Sequence, residues 1–128
     1  MLVTFRKAVA TYLEGADILP LHEFVPADIA ELPCAVVSMP DLDDGEEQGT
    51  FDISLGLYVV GRPVDADDAQ IELAQHADSV IAAFGGTRGI KAGHHHMAVT
   101  SAISELRTVS GIELPTYRIT ITTSQATC

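Results

Sequence analysis

The run Phe51-Asp52-Ile53-Ser54-Leu55-Gly56-Leu57-Tyr58-Val59-Val60 decides how the rest of the chain is read. Phe51, Ile53, Leu55, Leu57 and Val59 fall on one side, and Asp52, Ser54, Gly56 and Tyr58 on the other. A period of two is the mark of a strand with one face on a core. Upstream, Cys34-Ala35-Val36-Val37-Ser38-Met39 is a short apolar run between Pro33 and Pro40, the pattern of a buried strand. Between them lies Asp41-Leu42-Asp43-Asp44-Gly45-Glu46-Glu47-Gln48-Gly49, so the two strands are expected to form a hairpin with an acidic loop at its tip.

Outward from that hairpin the period changes to 3.6. Leu2, Phe5, Val9, Tyr12 and Leu13 recur at helical spacing, with Arg6, Lys7 and Glu14 on the wet side and Gly15 as the stop. Ile18 to Phe24 can form a short strand that Pro20 confines to an edge, and Val25 to Pro33 reads as a loop. After Gly61-Arg62-Pro63, Asp65 suits an N-cap, and Asp67 and Asp68 sit where a helix dipole favours them. Leu73, Ala74, Ala77, Val80, Ile81 and Phe84 make the buried stripe of this second helix, which Gly85-Gly86 ends. Residues 87–95 read as a loop. His96 to Val109 alternates through Met97, Val99, Ser101 and Ile103 as a strand, Ser110-Gly111 turns, and Tyr117, Ile119 and Ile121 alternate in a last strand. The prediction is a single α+β domain over residues 1–128: a mostly antiparallel, mixed β-sheet with two α-helices packed on one face.

The 128 residues suffice for one self-sufficient core, and 47% of them are hydrophobic. No run of about 18 apolar residues exists to span a membrane, and Met1 to Leu13 lacks a signal-peptide core, so cytosolic synthesis is expected. Cys34 and Cys128 are expected to be free thiols, the first buried. The formal charge is −11 at pH 7, with 7 Lys and Arg against 18 Asp and Glu. Such a surface repels phosphate backbones and anionic lipid, which excludes nucleic-acid binding through a basic footprint and docking on a membrane. The charge is uneven. Residues 1–61 hold two cations against eleven acids, while residues 62–128 hold five against seven.

Candidate chemical motifs fail on spacing. His94-His95-His96 cannot all face one ion, and no Cys or acid sits at a ligand offset. The acidic loop partly imitates a calcium loop, but its glycine comes one position early, Asp52 stands where a bidentate Glu belongs, and strands flank it. The glycine-rich run 85–93 follows a helix instead of leading into one and lacks the Lys-Ser/Thr ending of a P-loop. No Gly-x-Ser-x-Gly elbow is present, Cys34 lies in an apolar strand, and the clustered carboxylates have no apolar wall to raise a pKa. No catalytic residues, metal ligands or cofactors are therefore expected, and an enzyme is not.

Several of these segments together resemble a family: Leu32-Pro33-Cys34-Ala35-Val36-Val37 with Pro40, the strand ending in Gly61-Arg62-Pro63, the helix ending in Ala83-Phe84-Gly85, and Tyr117-Arg118-Ile119-Thr120-Ile121-Thr122. They resemble the tail terminator (minor tail) proteins of long-tailed bacteriophages, over nearly the whole chain. The resemblance implies a structural virion protein, made in the host bacterial cytoplasm. It would form a homo-oligomeric ring, usually hexameric, between the tail tube protein and the head–tail connector or stopper protein. Viral DNA would pass through without specific binding, and no cofactor or chemical step is implied. On that footing Asp41, Asp43, Asp44, Glu46 and Glu47 are expected on the lumen or on the face meeting the next ring, with Arg62, Arg88 and Lys91 pairing with acids of an adjacent subunit. Alternatives are another neck, connector or tail-completion protein, an acidic monomeric protein-binding module, and a small calcium- or metal-binding protein.

Overall fold

A computed structural model describes residues 2–22, 33–44, 50–62, 67–92, 95–109 and 111–126. The elements run α1 (Leu2–Ala16), β1 (Leu21–His22), β2 (Cys34–Val37), β3 (Asp41–Asp44), β4 (Thr50–Val60), α2 (Asp67–Ala83), β5 (Ile90–Ala92), β6 (His95–Val109) and β7 (Ile112–Ala126). The fold is α+β: the described residues form two helices and one mixed, curled sheet. The strands lie in the order β1-β2-β4-β7-β6-β5, with β3 also paired to β4. Among the described strands only β1 and β2 are parallel.

The alternation in 51–60 works as its period demands. Ile53, Leu55, Leu57 and Val59 meet Ala35, Val37, Met97, Val99, Ile119 and Ile121 on one face, and there Phe5, Val9 and Leu13 of α1 and Leu73, Ala77, Val80 and Phe84 of α2 close over them. Each fully buried large side chain contributes roughly 1.5–3 kcal/mol, so this layer supplies most of the driving force for folding. The helices are also tied to each other. The Tyr12 hydroxyl donates to the Ala83 carbonyl, one of the orphan acceptors of the last turn of α2, and the Tyr12 and Phe84 rings lie 5.0 Å apart.

Five local expectations are corrected. First, Asp41–Asp44 is not loop but strand β3, in register with Phe51–Ser54. β2 reaches only Leu57 of β4, and β3 takes the remaining backbone groups along that edge after a break at Ser38–Pro40. At the break the Ser38 hydroxyl accepts from the Gly56 amide at 2.9 Å, and the Ser38 amide donates to the Gly56 carbonyl at 2.9 Å. Second, the expected loop 87–95 contains β5, paired with His95–Met97. Third, α1 continues past Gly15 to Ala16, and Asp17, at φ 51°, takes the left-handed position that follows. Fourth, Arg6 is half-buried, donating to the Val37 carbonyl at 3.1 Å where β1 no longer covers β2. Fifth, the register of β6 slips between Val99 and Ser101, so Ile103 leaves the core face and stands 44% exposed.

The end of α2 follows the expectation closely. The Gly86 amide donates to the Ile81 carbonyl and the Gly85 amide to the Ala82 carbonyl, the paired bonds of a Schellman cap. β6 and β7, 15 residues each, form a hairpin with Val109 opposite Ile112 and Gly111 at φ 79° before β7, while Ser110 of the expected turn lies outside the described residues. Asp65, Gly45, His94 and Cys128 lie outside the described residues.

Candidate functional site

The register of the sheet locates the expected interaction residues. Along β4, Leu42 pairs with Ile53 and Asp43 with Asp52, and β4 pairs these positions onward to Thr123 and Ser124 of β7. On the far side Ile90 pairs with Met97 and Lys91 with His96, which continue the β6 ladder that starts at Ala98 opposite Thr122. β3 and β5 therefore lie level with each other at one end of the sheet. They are its two outer strands there, separated by four strand spacings, about 19 Å.

The eight expected residues separate accordingly. Asp41, Asp43 and Asp44 form β3, and the Asp41 side chain is exposed. Arg88 and Lys91, both exposed, sit just before and within β5 on the opposite edge. Arg62, also exposed, follows β4 at the other end of the sheet, beside Pro33, Glu72 and Leu73. Glu46 and Glu47 lie outside the described residues. One fold thus carries an acidic edge and a basic edge at the same level, with Arg62 apart from both.

The connection from α2 to β5 shows why the glycine-rich run is no phosphate cradle. Gly89 has φ +77°, and a Cβ there would stand 2.2 Å from the Met97 carbonyl oxygen. The Gly89 amide donates to the Gly85 carbonyl at 3.2 Å and the Val99 amide to the Gly86 carbonyl at 3.0 Å. These glycines let the helix end and β5 pack closely on β6, and three of the run's amides, those of Gly85, Gly86 and Gly89, are already committed.

The sheet face away from the helices has a different character. Ser101 Oγ donates to Thr120 Oγ1 at 3.0 Å, and the Thr100 and Thr122 hydroxyls are 3.2 Å apart. Further along, the Arg107 guanidinium lies 4.4 Å from the centre of the Tyr58 ring, above a small cluster of Cys34, Val36, Val60 and Leu114. Sequence reading missed this pair, because the two residues belong to strands that touch only through β7. His95, in the expected histidine loop, opens β6 instead. It is 7% exposed, with its ring 5.5 Å from Phe5.

A groove of about 350 Å³ separates α2 from the far part of the β6–β7 hairpin, lined by Gln70, Leu73, Ser104, Glu105, Leu106, Pro115 and Tyr117. Among its described lining residues Glu105 is the one acidic group, and no His, Lys or Cys accompanies it. Among the described residues, no group of three or more His, Cys, Asp or Glu is placed to hold a metal ion, and no helix is long and apolar enough to cross a membrane. No protein-family model matches the chain, and no curated protein matches it.

Proposed function

We propose that the protein is a structural subunit of a phage virion, a tail terminator that closes into a ring, caps the tail tube and joins it to the head–tail connector. The observation that carries this reading is the spatial separation of charge: an acidic strand on one sheet edge and Arg88 with Lys91 on the other. Cyclic symmetry needs two different, complementary surfaces on each subunit, and a two-fold dimer does not. The rest of the molecule agrees in kind. Its described pocket suits packing better than chemistry, and its total charge of −11 makes a poor grip for DNA.

In this reading the acidic segment from Asp41 to Glu47 faces the lumen or the neighbouring ring, where it shortens the residence of passing phosphates. The net charge that serves passage opposes closure at long range, while the acidic and basic edges attract locally. Ring formation therefore depends on main-chain and apolar contact with that match, and moderate salt strengthens it by screening the net repulsion until it also weakens the match. Negative-stain images of the purified protein, alone and mixed with tail tubes, test the reading. Rings, and caps on tube ends, are the expected result. Reversal of Asp41, Asp43, Asp44, Glu46 and Glu47 to Lys should slow DNA exit or block tail joining. Firm binding of duplex DNA near 0.15 M salt, or turnover of a substrate, overturns the proposal. The acidic binding-module alternative predicts a lasting monomer that holds a basic protein tightly.

A further inference from the structure

Each outer strand of a sheet presents main-chain N–H and C=O groups on its free side, and folded proteins normally blunt or cover such edges. At this end of the sheet the five-strand set β3-β4-β7-β6-β5 has an outer strand on each side, and no described strand pairs with the free side of either. β1 does not reach β3, because it pairs only with Ala35 and Val36 of β2. Leu42 on one edge is 39% exposed, and Lys91 and Arg88 on the other are exposed.

We propose that the free side of β3 in one copy pairs with the free side of β5 in the next, so that the sheets of successive subunits join edge to edge. The inference rests on the ring reading above and names the contact that builds the ring. Three observations carry it. The edges are level and both short, four residues in β3 and three in β5. Their charges are opposite. Their registers also match in kind: Leu42 is level with Ile90, and Asp43 with Lys91, so a level junction sets apolar beside apolar and acid beside base. Gly89 is then level with Asp41, and Arg88 stands one position beyond it, adding to the attraction at the strand entry.

Strand direction adds a constraint. Each pairing from β3 through β4, β7 and β6 to β5 is antiparallel, so β3 and β5 run the same way. Copies related by rotation about a ring axis keep that direction, and the junction is therefore parallel. A single parallel joint per subunit in an otherwise antiparallel belt is its structural signature. The same edges cannot satisfy a two-fold dimer with this charge match, because β3 would then face β3.

Cross-linking tests the joint on the full chain in a Cys128→Ser background, with Cys34 kept because it is buried. Level residues on paired strands lie about 4.8 Å apart at Cα, within disulfide reach. Asp43→Cys protein mixed with Lys91→Cys protein should oxidise to a dimer linked 43–91, neither alone should dimerise, and the double variant should give a ladder ending in a closed ring. Asp41→Cys is run beside it, because a stagger of two residues keeps the same face. In a second arm, Lys91→Glu should weaken assembly about tenfold, and Asp43→Lys on the same chain should restore it. Rings in negative stain without either cross-link overturn the edge joint and leave the ring reading standing. Dimers from Asp43→Cys alone also overturn it. A chain that stays monomeric at every concentration and salt, with no cross-link, overturns both.

Discussion

At the scale of single residues, two glycines show that the backbone around a position decides what that position tolerates. Gly15 lies in the last turn of α1 with nothing within 4 Å of where a Cβ would be, and its φ is ordinary. Gly15→Ala should stabilise the fold by up to about 1 kcal/mol through helix propensity and lower chain entropy. Gly89→Ala meets the opposite case, a left-handed φ and the Met97 carbonyl 2.2 Å away. It should cost more than about 2 kcal/mol. Urea titration of the pair checks both signs, and equal midpoints would refute the argument. Tyr12→Phe keeps the ring against Phe84 but leaves the Ala83 carbonyl unpaired, so a loss of about 1 kcal/mol with unchanged m-value is expected. The Tyr12 ring was legible from helical spacing. Its hydrogen bond was not, since the acceptor is 71 residues away.

At the scale of elements, the acidic segment shows where local propensity loses to pairing. Asp is a poor strand former, and three of the four residues of β3 are Asp. They still form a strand, because the first half of β4 would otherwise lack a partner on that edge. The Ser38 break is what lets one stretch of chain serve both halves of β4. Removing its hydroxyl with Ser38→Ala should leave the Gly56 amide short of a partner and cost about 1–2 kcal/mol. Faster hydrogen exchange at Gly56 and along β3 than at Ile119 would locate the loss. An evenly spread change would argue against that role. The β6 slip is the same lesson in reverse. The alternation through Ser101 and Ile103 predicted one face, and a single extra residue moved Ile103 to the other.

For the whole molecule, the centre of the sheet is the pairing of β4 with β7, from Thr50 opposite Ala126 to Val60 opposite Thr116. Both strands must meet across the whole of α2 and the β5–β6 segment before the core can close. Loop-closure entropy therefore precedes most of the reward, and refolding in milliseconds to seconds is expected by stopped-flow. Complete refolding within about 100 μs would contradict this. Cys34 supplies a second global probe, since its side chain is fully buried. In a Cys128→Ser background, thiol labelling should proceed only at the rate of global opening and should slow with Gly15→Ala.

The α+β class, both helices, their apolar stripes and the central strands were readable in the chain because each rests on a local period of side chains. The end of α2 at Gly85-Gly86 was readable for a similar reason, since a cap is chosen by the few residues around it. Tertiary structure alone decided that Asp41–Asp44 and Ile90–Ala92 are strands, that β6 slips after Val99, and that an acidic and a basic edge stand level across one sheet. Those features follow from which distant backbone groups still need a hydrogen-bond partner, and side-chain order along the chain does not encode that.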